Sequence, residues 1–504
     1  MKNIRLLIFL LIPVIGASCK KYMEVLPTDG LVKNEFWKTK EDVNSVLMGA
    51  YSALSQMDGL FFKYGEIRGD MVAAGGSVSW DEQQIMNGNI YSNNGLCDWQ
   101  KFYQVIDYCN EIIEKTPGVS KIDNTFTDFQ VKSVLAEAHY LRDLCYFYLV
   151  RIFKDVPLVL IPSESDATDF YPAKTDGDSI LNFLVADLES YRNYSKLSGG
   201  YLTLQENVGR VTRGAYDALL ADIALWRFDY NGCIKYVNNI LSSDKYILLQ
   251  DGNSDTKWFD LFYPGGSAES IFELQYSTYN KQSNSMYGLT IKTANQYGPS
   301  QKAIDIFRTT NRDPANSDPE EDIRGEKSSI SKNSATDYSI WKYTGIASDG
   351  VSLRPSMIQN DCGWIFYRLA DVILMKAEAY SQIGGFDSAF VCLNKIYQRA
   401  FPSKFLDPIA RTTTEYEDKI MDQRCKELAF EGKRWFDLMR LGRRNNYARS
   451  STFIKLITDN VTASQRRILA TKLTNPLGWY LPISKTELDR NKNLVQNPYY
   501  KTTF

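Results

Sequence analysis

The chain has 504 residues, enough for two to four ordinary domains or one large helical assembly. Its 58 Lys and Arg nearly balance its 60 Asp and Glu, which removes the broad electrostatic attraction that nucleic acids or acidic membranes require, and no basic patch with interleaved aromatics offers a substitute. The one histidine, His139, leaves no material for a His-rich metal site and would have to serve any Ser-His-Asp or Cys-His hydrolase alone.

At the start of the chain, Lys2 and Arg5 precede an apolar run from Leu6 to Ile15, broken only by Pro13 and followed by Gly16, Ala17 and Ser18. This is the layout of a secretory signal peptide, and the run falls short of the roughly 18 apolar residues a bilayer-spanning helix needs. Cleavage after residue 18 makes Cys19 the first mature residue, with a sulfur able to carry the diacylglycerol of a bacterial lipoprotein. No later stretch is long and apolar enough to span a bilayer, so residues 19–504 are expected to be soluble and held by one end.

Helical periodicity then recurs along the chain. It covers Glu41 to Ser55, Trp99 to Lys115 and Ser179 to Tyr194, and between them Val134, Ala138, Leu141, Cys145, Leu149 and Ile152 set one apolar stripe over 134–153, ended by Asp155-Val156-Pro157. His139 lies inside that run and reads as a packed helical residue, and Trp99 shares a face with Phe102, Val105 and Ile106. Residues 212–243 and 367–400 look like helical hairpins, with breaks placed at Asn231-Gly232 and Gly384-Gly385. Such pairs resemble tetratricopeptide units, which bury their flat faces by stacking. A further helix is expected from Glu415 to Leu441.

Between these lie aperiodic, aromatic-rich stretches, 65–98 and 250–365, the second containing the strand-like "SIFELQY" (270–276) and a polar portion, 310–336, read as the most mobile part. Aromatics make up 13% of the chain, more than a core alone usually asks for, so some rings are expected to face a ligand. The eight cysteines form no CxxC pair, which leaves thiolate metal chemistry without footing, and with Cys19 lipidated at least one thiol stays free.

In chain order the pieces resemble the SusD/RagB family of outer-membrane nutrient-binding lipoproteins over nearly the whole mature chain. The resemblance is carried by "YMEVLPTDGLVKNEFWKTKEDVNSVLMGAYSAL" after Cys19, "RGD" at 68–70, "AEAHYLRDLCYFYLVRIFKDVPLV", "GRVTRGAYDALLADIAL", "YRLADVILMKAEAY", "RCKELAFEGKRWFDLMRLGR" and the closing "WYLPISKTELDRNKNLVQNPYY". Departures are Gly16, where a lipoprotein signal more usually has leucine, and Tyr499, where the family more often has glycine. The resemblance implies a mainly α fold: a tetratricopeptide-like helix-pair scaffold (about 36–60, 98–243 and 366–445) with long irregular insertions and minor β (about 61–97 and 250–365), all in one domain. It implies a non-enzymatic surface protein that binds a glycan and delivers it to a SusC-like TonB-dependent transporter of the outer membrane. A peptide is the alternative ligand, as in RagB-type members.

The insertions offer no motif to align, so candidate ligand residues follow from chemistry: sugar rings present flat C–H faces and hydroxyl edges, which call for aromatic platforms beside carboxylates and amides. These candidates are Asp70, Trp80, Asp81, Tyr91 and Asn94 in the first insertion and Tyr276, Tyr279, Asn280, Tyr287 and Tyr297 in the second, with Trp341 and Trp364 as further possibilities. No cofactor is expected, and whether Ca²⁺ orders a loop stays open. The rival reading, a lipid-anchored helical glycoside hydrolase, would use Glu427 and Glu431 as its carboxylate couple. Their spacing with Arg424 and Arg434 instead predicts ion pairs along one helical face, keeping both acids ionised.

Overall fold

The computed structural model describes residues 36–163, 168–249, 258, 260–308, 322–326, 328–334, 337–343, 354–355, 358–401, 404–459 and 461–501. The signal segment, Cys19 and much of 310–336 lie outside them.

Helices begin where the sequence supplies caps. Helix α1 (Lys40–Ser55) starts at Thr39, whose hydroxyl accepts the Asp42 N–H at 3.2 Å while the Thr39 N–H donates to the Asp42 carboxylate at 2.8 Å. After α2 (Asp58–Glu66), strand β1 (Val72–Ala74) and the short α3 (Trp80–Met86) come two long helices, α4 (Gln100–Ile122) and α5 (Asp128–Phe153), which pack on each other and on α1. Helix α4 runs nearly two turns past its expected end, through Pro117, because Thr116 and Val119 are buried against the core. That burial offsets the roughly 3 kcal/mol a helix-interior proline costs.

Helix α5 departs from the single stripe its spacing suggests: every residue from Ala136 to Phe153 is buried. It is the central helix, covered by α4 on one side and by α6 (Gly177–Arg192) on another, so its polar residues must find partners inside. Glu137 takes Arg210 at 2.6 Å and the Tyr51 hydroxyl at 2.7 Å, and His139 meets Asp187 at 2.6 Å while stacking on Tyr191.

The stack continues through α7 (Leu204–Gly209), α8 (Arg213–Trp226) and α9 (Tyr230–Leu241). The α8–α9 hairpin breaks at 227–229 rather than at Asn231-Gly232. Asp229 is the N-cap, its side chain accepting the Gly232 N–H at 2.9 Å, so the Asn-Gly pair sits in the first turn of α9.

Three two-stranded antiparallel pairs occur among the described residues: β2 (Ser270–Leu274) with β6 (Trp364–Arg368), β1 with β3 (Tyr297–Pro299), and β4 (Ile330–Ser334) with β5 (Asp337–Ile340). The chain from β2 to β6 reads α10 (Met286–Thr290), β3 (Tyr297–Pro299), α11 (Gln301–Arg308), β4 (Ile330–Ser334), β5 (Asp337–Ile340) and β6 (Trp364–Arg368). Strand β6 passes directly into α12 (Leu369–Gln382), whose hairpin with α13 (Phe386–Ala400) turns at Gly384-Gly385 as its sequence indicates. Helix α12 also packs on α9 and α14 (Thr413–Glu427), which joins the two halves of the scaffold.

The helix expected over 415–441 is two helices, α14 and α15 (Arg434–Tyr447), separated by a turn at 428–433. Helix α16 (Ser450–Thr458) then packs on α15, and α17 (Ala463–Leu473) on α16. All seven described cysteines are free; Cys145 and Cys425 are buried and Cys392 partly so.

Candidate cleft between the strand pairs

The recognisable motifs turn out to hold the frame. In the Arg-Gly-Asp at 68–70, Arg68 stacks on Trp435 and donates to the carbonyls of Trp479 at 2.5 Å and Gly478 at 2.9 Å. Asp70, expected at the ligand surface, is fully buried. It accepts from Arg434 at 2.6 and 2.8 Å and also contacts Lys302. Burial alone would lift its carboxyl, but Arg434 and then Lys302 outweigh burial and hold it at about 2. An ionised acid spent on two cations has no capacity left for a sugar hydroxyl, so Asp70 is corrected to a structural residue.

Three further candidates are likewise corrected. Asn94 is buried, donating to the Asp81 carbonyl at 2.8 Å and accepting the Leu96 N–H at 3.0 Å. Tyr276 is buried with its hydroxyl on the Ser55 carbonyl at 2.7 Å. Trp364 is closed in the core beside Phe61 and Tyr343.

The remaining candidates, Tyr297 apart, are at or near the surface. Trp80 opens α3 and is 64% exposed, and Tyr91 also faces solvent. Asp81 lies between them, tied through Oδ2 to the Gly95 N–H at 2.8 Å. Tyr279 and Asn280 are exposed on a turn anchored by the Thr278 N–H to Asp361 at 2.6 Å, Tyr287 is half-buried in α10, and Trp341 is partly packed on the core.

One of the ten primary candidates, Tyr297, lines a cleft of this region. Strand β1 pairs with β3 in the register Val72↔Pro299, Ala73↔Gly298, Ala74↔Tyr297, and β5 lies alongside β3. Between them opens a cleft of about 230 Å³. Its floor is Ala73, Ala74, Gly75, Gly298 and Pro299, and small side chains there leave the space open. One wall is Thr290, Ile291, Lys292 and Asn295; the other is Asp337, Tyr338 and Ser339.

The walls are fixed by the backbone. The Asn295 carbonyl accepts the Ser77 N–H at 2.9 Å with Asn295 itself at φ +50°, and the Gly75 N–H donates to the Gln296 carbonyl at 2.6 Å. Tyr297 is buried against Phe62, and burial first, then the Glu82 carboxylate, push its hydroxyl far above the usual phenol range. It stays a neutral phenol.

Residue-type reasoning missed Lys292, Asn295, Asp337 and Tyr338. The small-residue runs "AAGG" (73–76) and "YGP" (297–299) were visible in the sequence, but only their long-range pairing makes them a floor.

Glu427 and Glu431 do not form a catalytic couple. The turn at 428–433 takes them off a common helical face, and both are buried among cations from distant segments. Glu427 meets Arg368 at 2.7 Å and Arg324 at 3.2 Å, with Arg399 in contact; Glu431 meets Arg368 and Lys342, each at 2.8 Å. Burial opposes ionisation, yet Arg399 and Arg368 hold Glu427, and Arg368 and Lys342 hold Glu431, below the usual carboxylate range. Arg424 pairs with Asp371 and Asp437 at 2.9 Å each. The network joins separate elements, where the sequence suggested neighbours along one helix. Among the described residues no three of His, Cys, Asp and Glu converge to hold a metal ion, and no helix is long and apolar enough to cross a membrane.

Comparison with known proteins agrees with this architecture. Residues 324–500 match the SusD family, and residues 21–229 match a family described as starch-binding and associating with the outer membrane. SusD-like protein P38 of Formosa agariphila is 25% identical over 484 residues, 87% of this chain and 91% of that protein. A SusD superfamily protein from Bacteroides vulgatus superposes with a TM-score of 0.72 at 23% identity, over 92% of this chain and 100% of that one. Surface glycan-binding protein A from Bacteroides uniformis gives 0.70 at 20% identity, over 92% and 100%. At these identities the two structural likenesses concern the fold.

Proposed function

This chain belongs to the SusD/RagB family, a family of binding proteins, and from that premise we propose that it is a lipoprotein tethered through Cys19 that binds an oligosaccharide in the β1–β3–β5 cleft and passes it to a TonB-dependent outer-membrane transporter. The observation that carries the glycan reading is the cleft itself. Its floor of Ala and Gly admits a ring, Tyr338 supplies an aromatic wall, and exposed Asn295 supplies an amide for sugar edges, while the buried Thr290 and Ser339 hydroxyls are held by the Met286 carbonyl and by Asn333. Placing such groups on paired strands rather than on free loops favours a fixed site. A volume near 230 Å³ suits a short stretch of a longer chain, with exposed Trp80, five residues beyond Gly75, as a platform for what protrudes.

Affinity electrophoresis against a panel of polysaccharides tests this. Retardation by at least one glycan, weakened in Tyr338→Ala, is the expected result; a chain indifferent to every glycan defeats it. The anchor is tested by fractionation. Wild-type protein should sediment with outer membranes, and Cys19→Ala should appear in the soluble fraction. Mild-detergent pull-down of the wild type should recover a large β-barrel transporter.

A further inference from the structure

The cleft has two ionisable side chains besides its tyrosines among the described residues, Lys292 and Asp337, and they are in contact with each other. Lys292 follows α10 and is half exposed; Asp337 opens β5 and is one-third exposed. The pair therefore ties one wall to the other, and the ammonium is already neutralised before a ligand arrives. Every other polar group lining the cleft is an amide, a hydroxyl or a backbone group.

From this charge balance we infer that Asp337 makes the cleft selective for uncharged glycan segments, those without carboxylate or sulfate on the rings it holds. The inference rests on the glycan-binding reading above and names the substrate class of that same site. A uronic or sulfated ring has to take Lys292 from Asp337 and then lie beside a freed carboxylate, whereas a neutral ring leaves the ion pair in place and bonds to the exposed Asn295 amide. Exclusion by a like charge is a strong source of specificity because the wrong ligand meets repulsion as well as a lost contact.

The test uses detergent-purified full-length protein on native gels containing neutral polymers (starch, xylan, galactomannan, laminarin) or anionic ones (polygalacturonate, alginate, carrageenan). Wild type should be retarded by at least one neutral polymer and by no anionic one. Asp337→Asn keeps the size of the side chain and frees Lys292, so it should gain at least about tenfold in apparent affinity for an anionic polymer. That gain should vanish at about 1 M salt and in the Asp337→Asn, Lys292→Gln double variant. Retardation of wild type by anionic polymers alone overturns the inference while leaving glycan binding intact. Unchanged exclusion of anionic chains by Asp337→Asn overturns the role given to Asp337, and indifference of every variant to every polymer removes the glycan-binding reading itself.

Discussion

Glu66 shows what a single buried side chain does in this fold. Its Oε1 accepts the N–H groups of Gly432 at 2.8 Å and Lys433 at 3.1 Å, at the entry to α15, and it has no cation in direct contact among the described residues. Burial dominates, against those backbone donors, and raises its carboxyl from 4.5 to about 8. Between these values the native chain keeps a proton that the unfolded chain releases, so this residue's contribution to stability falls as pH rises from about 4.5 toward 8. A single proton is worth about 1.4 kcal/mol per pH unit in such a window. Glu66→Gln keeps the acceptor and removes the charge. Its urea midpoint should match wild type near pH 5 and exceed it increasingly toward pH 8; parallel pH profiles would refute this. Asp70 stands in the opposite case, with its acid lowered by Arg434 and Lys302, so its contribution is present above the ordinary Asp range and is lost as pH falls toward about 2. Sequence made Asp70 look like a ligand group because an acid between glycine and methionine has no visible partner. That partner is 364 positions away.

At the scale of elements, the junction between α2 and the 428–433 turn is a backbone approach too close for any side chain between them. A Cβ on Gly65 would lie 1.9 Å from the Gly432 carbonyl oxygen, and one on Gly432, at φ +72°, would meet the Trp364 ring at 2.8 Å. Gly65→Ala has to push α2 away from a buried turn that also carries the Glu66 contacts. A loss of about 3 kcal/mol or more in denaturant unfolding is expected, while Gly118→Ala, which meets nothing within 4 Å, serves as the control. The long helices were legible because their signals are local: apolar spacing over Glu41 to Ser55, Trp99 to Lys115 and Ser179 to Tyr194, and Gly384-Gly385 at a hairpin turn. The elements misread are those where distant packing overruled a local sign. Pro117 did not stop α4, Asn231-Gly232 did not interrupt α9 because Asp229 capped it first, and α5 is buried all round although its sequence showed a stripe.

For the whole molecule, the fold class was legible because stacked hairpins repeat the same local grammar, and the ligand surface was not, because the cleft is assembled from three strands drawn from 72–74, 297–299 and 337–340. Tyr297 alone among the ten candidates lines it, while Lys292, Asn295, Asp337 and Tyr338 sit in stretches without a period or a motif. If the cleft grips sugar as proposed, Tyr338→Ala should weaken the best glycan about three- to tenfold, the worth of one aromatic face at about 0.5–1.5 kcal/mol, with no change in melting temperature. Trp80→Ala should weaken long chains more than short ones. Equal affinities for wild type and Tyr338→Ala, measured calorimetrically, would place the sugar elsewhere.

The bond from Arg68 to the Gly478 carbonyl spans 410 positions. A ribosome that has made the first helices has therefore not yet made what seats Arg68, and the early part of the polypeptide stays incomplete until residue 478 has been made. Truncations short of residue 478 should thus be prey to proteases along their N-terminal portion as well as at the cut. The same long-distance tie that secures the folded protein thus delays the closing of its first half until the second has been made.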